Sequence, residues 1–335
     1  MEQQIEDFTS FFENCGKDNL YGMYANTFDN IVVIGMGGSA MAGDIVQAIN
    51  NKYDYIYVNR GYNIPEHFFN NKNTKTLFVA CSYSGNTEET LSCVDQILKN
   101  NKNNENLELI TICSKSETSK LYNLSLDHKL KMLNVKPGYQ PRAALPMMFL
   151  KLYSLIDGHD LSEIQTKLDT LKPIIKELAN DISSKIVSSN KFPIIYTDNE
   201  KMPFIGTRFR NQLNENSKLL AMSNQFPELC HNEIVGYNNK QLIYGINIII
   251  KDIDYHEKNE WRIEICKKFF ESRFGNVLEI EAPPHLEYIE RIFYLILLID
   301  YVSLYVALKT EQDPVAVDNI DYLKTELAVI NNQLF

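Results

Sequence analysis

The sequence predicts an α/β protein built from two units, each a parallel β-sheet flanked by helices on both faces. Short, continuous apolar runs recur through the first half with helical spacers between them, the mark of strands covered on both sides. The same rhythm of strand, glycine and helix resumes after residue 191. The stretch 31–44, IVVIGMGGSAMAGD, reads as a strand, a tight glycine turn and a helix N-terminus. Such a turn leaves backbone N–H groups free at the positive end of a helix dipole, which suits a phosphate. The same letters satisfy the dinucleotide pattern G-x-G-x-x-A, so a nucleotide cofactor is a competing reading.

Taken in order, residues 1–28 read as a leading helix, with Ile5, Phe8, Phe11 and Phe12 at helical spacing. Strands follow at 31–34, 55–58, 77–81, 109–113 and 130–133, and a helix at 143–155. The polar segment DGHD at 157–160 divides the chain into units 1–157 and 158–335. In the second unit, helices are expected at 161–188, 208–221 and 257–274, and strands at 192–197, 241–250 and 277–280. The run 292–308 is broken by Asp300 and reads as a buried core helix, not a membrane span.

Composition narrows the function. The 335 residues, 44% hydrophobic and 23% charged, suit a globular protein with full cores. A net charge of −10 argues against nucleic acid as a partner, because backbone phosphates call for a basic face. The six cysteines form no C-x-x-C pair and read as reduced thiols of a cytoplasmic protein. The start, MEQQIEDF, has no apolar core, so no signal peptide is expected. No two histidines are spaced for zinc.

Four clusters could carry chemistry. Gly37, Gly38 and Ser39 form the first turn. After the third strand, Ser82, Ser84 and Thr87 surround Gly85, at the strand end where open sheets bind ligands. They read as a second phosphate cup, with simple helix capping by Thr87 as the plainer alternative. A dinucleotide site calls for an acid at the end of the second strand, about 20 residues after the glycines. The chain offers Asn59 and Arg60 there, which leaves only an NADP-dependent oxidoreductase as a rival. Arg142, placed after Pro141 at a helix start, puts a cation on an already positive end and suggests an anion nearby. A solvated surface arginine is the alternative. Finally Arg208, Gln212 and Glu215 share one helix face, continued by Leu219, and His231 follows after PELC. A glutamate and a histidine are what proton transfer beside a carbonyl requires.

Together GMGGSAMAGD, SYSGNT, QPRAAL, NEN and PELCHNEIVGY resemble the bifunctional phosphoglucose/phosphomannose isomerases of the sugar isomerase (SIS) superfamily, in order and over nearly the whole chain. The resemblance implies two SIS units, a homodimer, a sugar phosphate substrate, and no metal or cofactor. It implies that Gly37, Gly38 and Ser39 line the sugar site and that Ser82, Ser84 and Thr87 bind the phosphate. Glu215 would be the base, Arg142 would steady the enediolate, and His231 (from the partner subunit) and Lys324 would assist ring opening. The chain has Cys230 where the family commonly has Asn. It also has no Thr in 313–317, a region tied in the family to acceptance of both C2 epimers. Interconversion of fructose 6-phosphate and glucose 6-phosphate is the expected activity, with mannose 6-phosphate left open. A non-catalytic SIS module that senses a sugar phosphate is the other rival, but it would have no use for Glu215, His231 and Lys324.

Overall fold

The computed structural model describes residues 1–14, 24, 27–50, 55–71, 73–100, 104–157, 159–238, 245–275 and 277–333. Its first part runs α1 (Glu2–Glu6), a 3-10 turn (Thr9–Asn14), β1 (Asn30–Ile34), α2 (Gly37–Ile49), β2 (Tyr55–Asn59) and α3 (His67–Asn70). There follow β3 (Thr76–Cys81), α4 (Glu88–Asn100), β4 (Leu107–Ser114), α5 (Lys120–Asp127) and β5 (Lys131–Val135). A 3-10 turn (Pro141–Ala143) leads into α6 (Leu145–Ile156) and then α7 (Ser162–Ser189). The second sheet begins with β6 (Phe192–Asp198), followed by α8 (Pro203–Ser217), β7 (Met222–Phe226), a 3-10 turn (Glu228–His231) and α9 (Glu233–Gly236). The chain ends through β8 (Gly245–Lys251), α10 (Glu257–Phe274), β9 (Leu278–Glu281), α11 (Tyr288–Lys309) and α12 (Asp318–Gln333).

Both sheets are parallel, ordered β2-β1-β3-β4-β5 and β7-β6-β8-β9. The second therefore repeats the strand order of the first, with β6 in the place of β1. In each, the chain leaves the central strand to one side and returns on the other, which opens a crevice at the carboxyl strand ends. Side chains alternate between two apolar clusters along β1: Ile31 and Val33 face one, Val32 and Ile34 the other. Leu77, Val79 and Cys81 of β3 join the first cluster, and so do Ile195 of β6 and Ile248 of β8. One core thus fills the space between the sheets, and α2, α6, α7, α8 and α11 occupy it.

The sequence reading differs from this fold in three places. The leading helix is broken: α1 gives way to a 3-10 turn, though Ile5, Phe8 and Phe12 are buried as expected. Residues 15–23, 25 and 26 of that stretch lie outside the described residues, as do 241–244 at the start of the expected strand 241–250. The helix expected at 208–221 ends at Ser217, where Lys218 adopts the left-handed conformation at φ 51°. Beyond it Met222–Phe226 is a strand that the sequence reading left out. MSNQF lacks a β-branched run because it is an edge strand with one side open, where burial does not demand apolar residues.

α11 is long and apolar enough to cross a membrane by composition, but 83% of its apolar window is buried inside the protein. Asp300 sits in its middle, 1% exposed. Arg208 of α8 donates to it through Nε at 2.9 Å and Nη2 at 2.5 Å, and Gln212 donates at 2.7 Å. The polar face read from Arg208 and Gln212 therefore does turn inward, against α11.

Candidate active site

The glycine turn and the hydroxyl loop lie side by side because β1 and β3 are neighbours in the sheet. α2 starts at Gly37, and Ser39 of its first turn is buried, its Oγ accepting from the Tyr83 N–H at 3.3 Å. In the next loop Ser82 Oγ and Thr87 Oγ1 are 2.9 Å apart, and Ser82 Oγ accepts from the Gly85 N–H at 3.1 Å. Ser84 is exposed, and its Oγ accepts from the Asn86 N–H at 3.3 Å. Gly85 has φ 69°, and a Cβ there would stand 1.8 Å from Ser119 Oγ. Only glycine fits that turn. Thr87 directs its hydroxyl to Ser82, and α4 starts at the following residue.

Arg142 comes to the same place from a third segment. A Cβ on Gly38 would meet the Pro141 carbonyl oxygen at 3.3 Å and the Arg142 Cα at 3.8 Å, so the glycine turn and the arginine segment touch. Pro141 occupies the first position of the 3-10 turn, as expected, but α6 itself begins only at Leu145. The guanidinium is 6% exposed and fully engaged. Nε donates to Asn216 Oδ1 at 2.6 Å; Nη1 donates to Gln140 Oε1 and Glu215 Oε2, both at 3.4 Å. Nη2 donates to the carbonyls of Pro314 at 2.6 Å and Val315 at 3.2 Å. Burial holds its pKa below the ordinary arginine value, against the opposing pull of Glu215, Asp300 and Asp313. The alternative of a solvated surface arginine is excluded by that burial.

Glu215 lies in the last turn of α8, with its side chain 34% exposed. The carboxylate thus keeps an open side while Arg142 holds the other. Lys218 closes the helix end, donating to the Glu215 carbonyl at 2.9 Å and to the Asp313 carbonyl. The segment 313–315 is thereby pinned over the Arg142–Glu215 pair through its main chain.

His231 and Lys324 stand apart within one chain. His231 ends the Glu228–His231 turn beyond β7 and is exposed. Among the described residues it has no hydrogen bond to Arg142 or Glu215. Lys324 lies on α12 with its side chain 71% exposed, 3.9 Å from Asp321. Arg60, the residue kept for an NADP reading, is paired with Asp44 of α2.

Four supporting residues escaped the sequence reading. Asn216, read only as part of NEN, fixes Arg142 and donates to Ser303 Oγ at 3.0 Å. Tyr83 ties the hydroxyl loop to the arginine segment: its OH donates to the Lys136 carbonyl at 3.0 Å and accepts from the Tyr139 N–H at 2.8 Å. Asp7 accepts from Tyr139 OH at 2.6 Å, and Gln4 Oε1 accepts from the Gln140 N–H at 2.8 Å, so α1 and its flank brace that segment from the other side. Proximity across the fold, not local pattern, gives these residues their work; the SYSGNT motif did hold Tyr83 in view.

Two parallel sheets with a shared inner helical layer, and two glycine loops side by side at a switch point, define the SIS class of folds. A Thermus thermophilus protein described as hypothetical shares the fold, with a TM-score of 0.69 at 14% identity, covering 99% of this chain and 90% of that one. The profile of the bacterial phospho-glucose isomerase C-terminal SIS domain matches residues 175–327. A bifunctional phosphoglucose/phosphomannose isomerase of Caldicellulosiruptor bescii is 33% identical over 95% of each chain. One of Aquifex aeolicus is 30% identical over 90% of this chain and 91% of its own. The chain belongs to the bifunctional phosphoglucose/phosphomannose isomerase family.

Proposed function

We propose that the protein interconverts fructose 6-phosphate and glucose 6-phosphate by moving a proton between C2 and C1 of the open-chain sugar. The observation that carries this reading is the half-open Glu215 carboxylate held beside the buried Arg142, next to the glycine turn. Ser82, Ser84 and Thr87 hold the phosphate, and Gly37, Gly38 and Ser39 line the sugar chain. With its charged end fixed, the sugar presents C1 and C2 to Glu215, which turns proton transfer into an intramolecular event. Glu215 removes the proton from one carbon and returns it to the other. Arg142 stabilises the enediolate oxygen by turning Nη1 toward it from the long 3.4 Å bonds to Gln140 and Glu215, an effect worth about 3–4 kcal/mol for one good donor in comparable oxyanion sites.

His231 and Lys324 open and close the ring, with His231 supplied by the partner of a homodimer. Among the described residues His231 has no hydrogen bond to Glu215 within one chain, which supports its supply by the partner. So do Ile320, Tyr322, Leu323, Val329 and Ile330, which leave an apolar surface exposed on α12. The reading keeps 1–157 as the unit of the glycine turn and cup, and 158–335 as the unit of Glu215, His231 and Lys324. The relatives' names support mannose 6-phosphate as a second substrate. The main-chain anchoring of Pro314 and Val315 brings the segment without a Thr to Arg142. Free thiols at the five described cysteines accord with a cytoplasmic setting.

A coupled assay with fructose, glucose and mannose 6-phosphates side by side tests the proposal. Turnover of fructose 6-phosphate to glucose 6-phosphate is expected. Binding without turnover would favour a sensor and overturn the isomerase reading.

A further inference from the structure

Two thiols from different elements meet one residue away from His231. Cys230, on the turn Glu228–His231, places its Sγ 3.7 Å from the Sγ of Cys266 on α10. Cys266 is 3% exposed and belongs to the apolar cluster with Leu229, Ile263 and Phe270. Cys230 is half-buried, the one cysteine among the described residues that is not fully buried. Two small apolar side chains packed in a core would look similar. Here, however, one thiol is reachable from solvent on a surface turn, while its neighbour waits behind it on a regular helix. A disulfide needs sulfurs about 2.05 Å apart, so forming one from the 3.7 Å approach calls for movement of the Cys230 turn toward α10.

We propose that Cys230 and Cys266 are a reversible disulfide site whose closure moves His231. The turn is anchored just beyond the histidine, because Glu233 accepts from Tyr196 OH at 2.6 Å and from Asn224 Nδ2 at 2.5 Å. Drawing Cys230 toward α10 against that fixed point displaces the one residue that separates it from Asn232, which caps α9. The oxidant is a peroxide. The Cys230 thiolate attacks one oxygen of hydrogen peroxide, the O–O bond breaks, a sulfenic acid forms, and the departing hydroxide takes up the proton the thiol had released and leaves as water. Cys266 sulfur then attacks Cys230 sulfur. The S–S bond forms, the S–O bond breaks, and the Cys266 proton leaves with the hydroxide as a second water. Burial pushes the Cys266 thiol up to about 12, which suits it to the second, resolving step better than to the first. A dithiol reductant reverses the bond.

The bond itself stands apart from the function proposed above; its effect on turnover rests on that function. The test treats the full-length reduced protein with graded hydrogen peroxide, followed by peptide mapping without reduction. A cross-linked peptide joining residues 230 and 266 is expected, together with a loss of turnover of about fivefold or more that dithiothreitol restores. Hydrogen exchange of the 227–237 segment is expected to change in parallel. Cys266→Ala keeps basal turnover and loses the peroxide response. Cys230→Ser, on the surface turn, makes the same comparison without a cavity in the core. Oxidation of Cys230 with no link to Cys266 overturns the site, and a link that alters neither exchange nor turnover overturns its effect on His231. If the reduced protein turns over none of the three sugar phosphates, the isomerase reading fails, while mapping and exchange still decide this one.

Discussion

Arg142 donates through Nε to Asn216 Oδ1 at 2.6 Å, and Asn216 is the residue next to Glu215. The base candidate and the clamp on its cation are thus consecutive residues of one helix end. Any shift of α8 moves the carboxylate and the guanidinium together, so their spacing survives small motions of the two halves.

Replacing Glu215 with Gln removes the carboxylate and keeps the shape. We expect turnover to fall by about 10²–10⁴-fold, with sugar-phosphate binding by calorimetry nearly unchanged. A variant retaining more than about a tenth of wild-type turnover would exclude Glu215 as the base.

Asn216→Ala leaves Arg142 Nε without its partner, while Ser303 Oγ keeps its bond to the Asp300 carbonyl. A buried donor left unpaired costs about 1–3 kcal/mol, which urea unfolding will read. Turnover should fall while KM changes little, because the phosphate cup is untouched. A variant in which only KM rises contradicts this role.

In the hydroxyl loop, Gly85→Ala forces a Cβ to within 1.8 Å of Ser119 Oγ at a positive φ. Here the expected change is in KM, through displacement of Ser82, whose Oγ accepts from the Gly85 N–H. A stability loss of about 1–3 kcal/mol should accompany it. Steady-state kinetics and a melting curve check both.

The buried pair between α8 and α11 carries an asymmetric cost. Asp300→Leu strands Arg208 and should destabilise by about 3–5 kcal/mol, whereas the double change Arg208→Met, Asp300→Leu should cost much less. Urea unfolding of the four members of the cycle measures the coupling.

Tyr139 gives acid unfolding a defined sign. Its hydrogen bond, with help from Gln3, holds Asp7 below the ordinary 3.8. An acid whose folded pKa is depressed contributes stability above its unfolded pKa and loses it as pH falls through the folded value. Wild type should therefore exceed Tyr139→Phe in stability near neutrality, and the difference should shrink below about pH 4. A gap that is constant with pH would mean the bond contributes nothing through Asp7.

The amino-acid pattern alone determined the strands of the first sheet, α10 to the residue, the two glycine turns and the inward face of Arg208 and Gln212. These are local: period, turn chemistry and helix spacing are written within a dozen residues. Asp300 showed itself as a break in an apolar run, but nothing near it in the chain named Arg208 as its partner. Tertiary structure alone decided that Arg142 meets Glu215, that Asn216 and Tyr83 brace the site, and that MSNQF is a strand. Those facts depend on which sheet edges and helix faces are brought together by burying one core between two sheets. Such contacts join residues far apart in sequence, where no period or spacing carries the information.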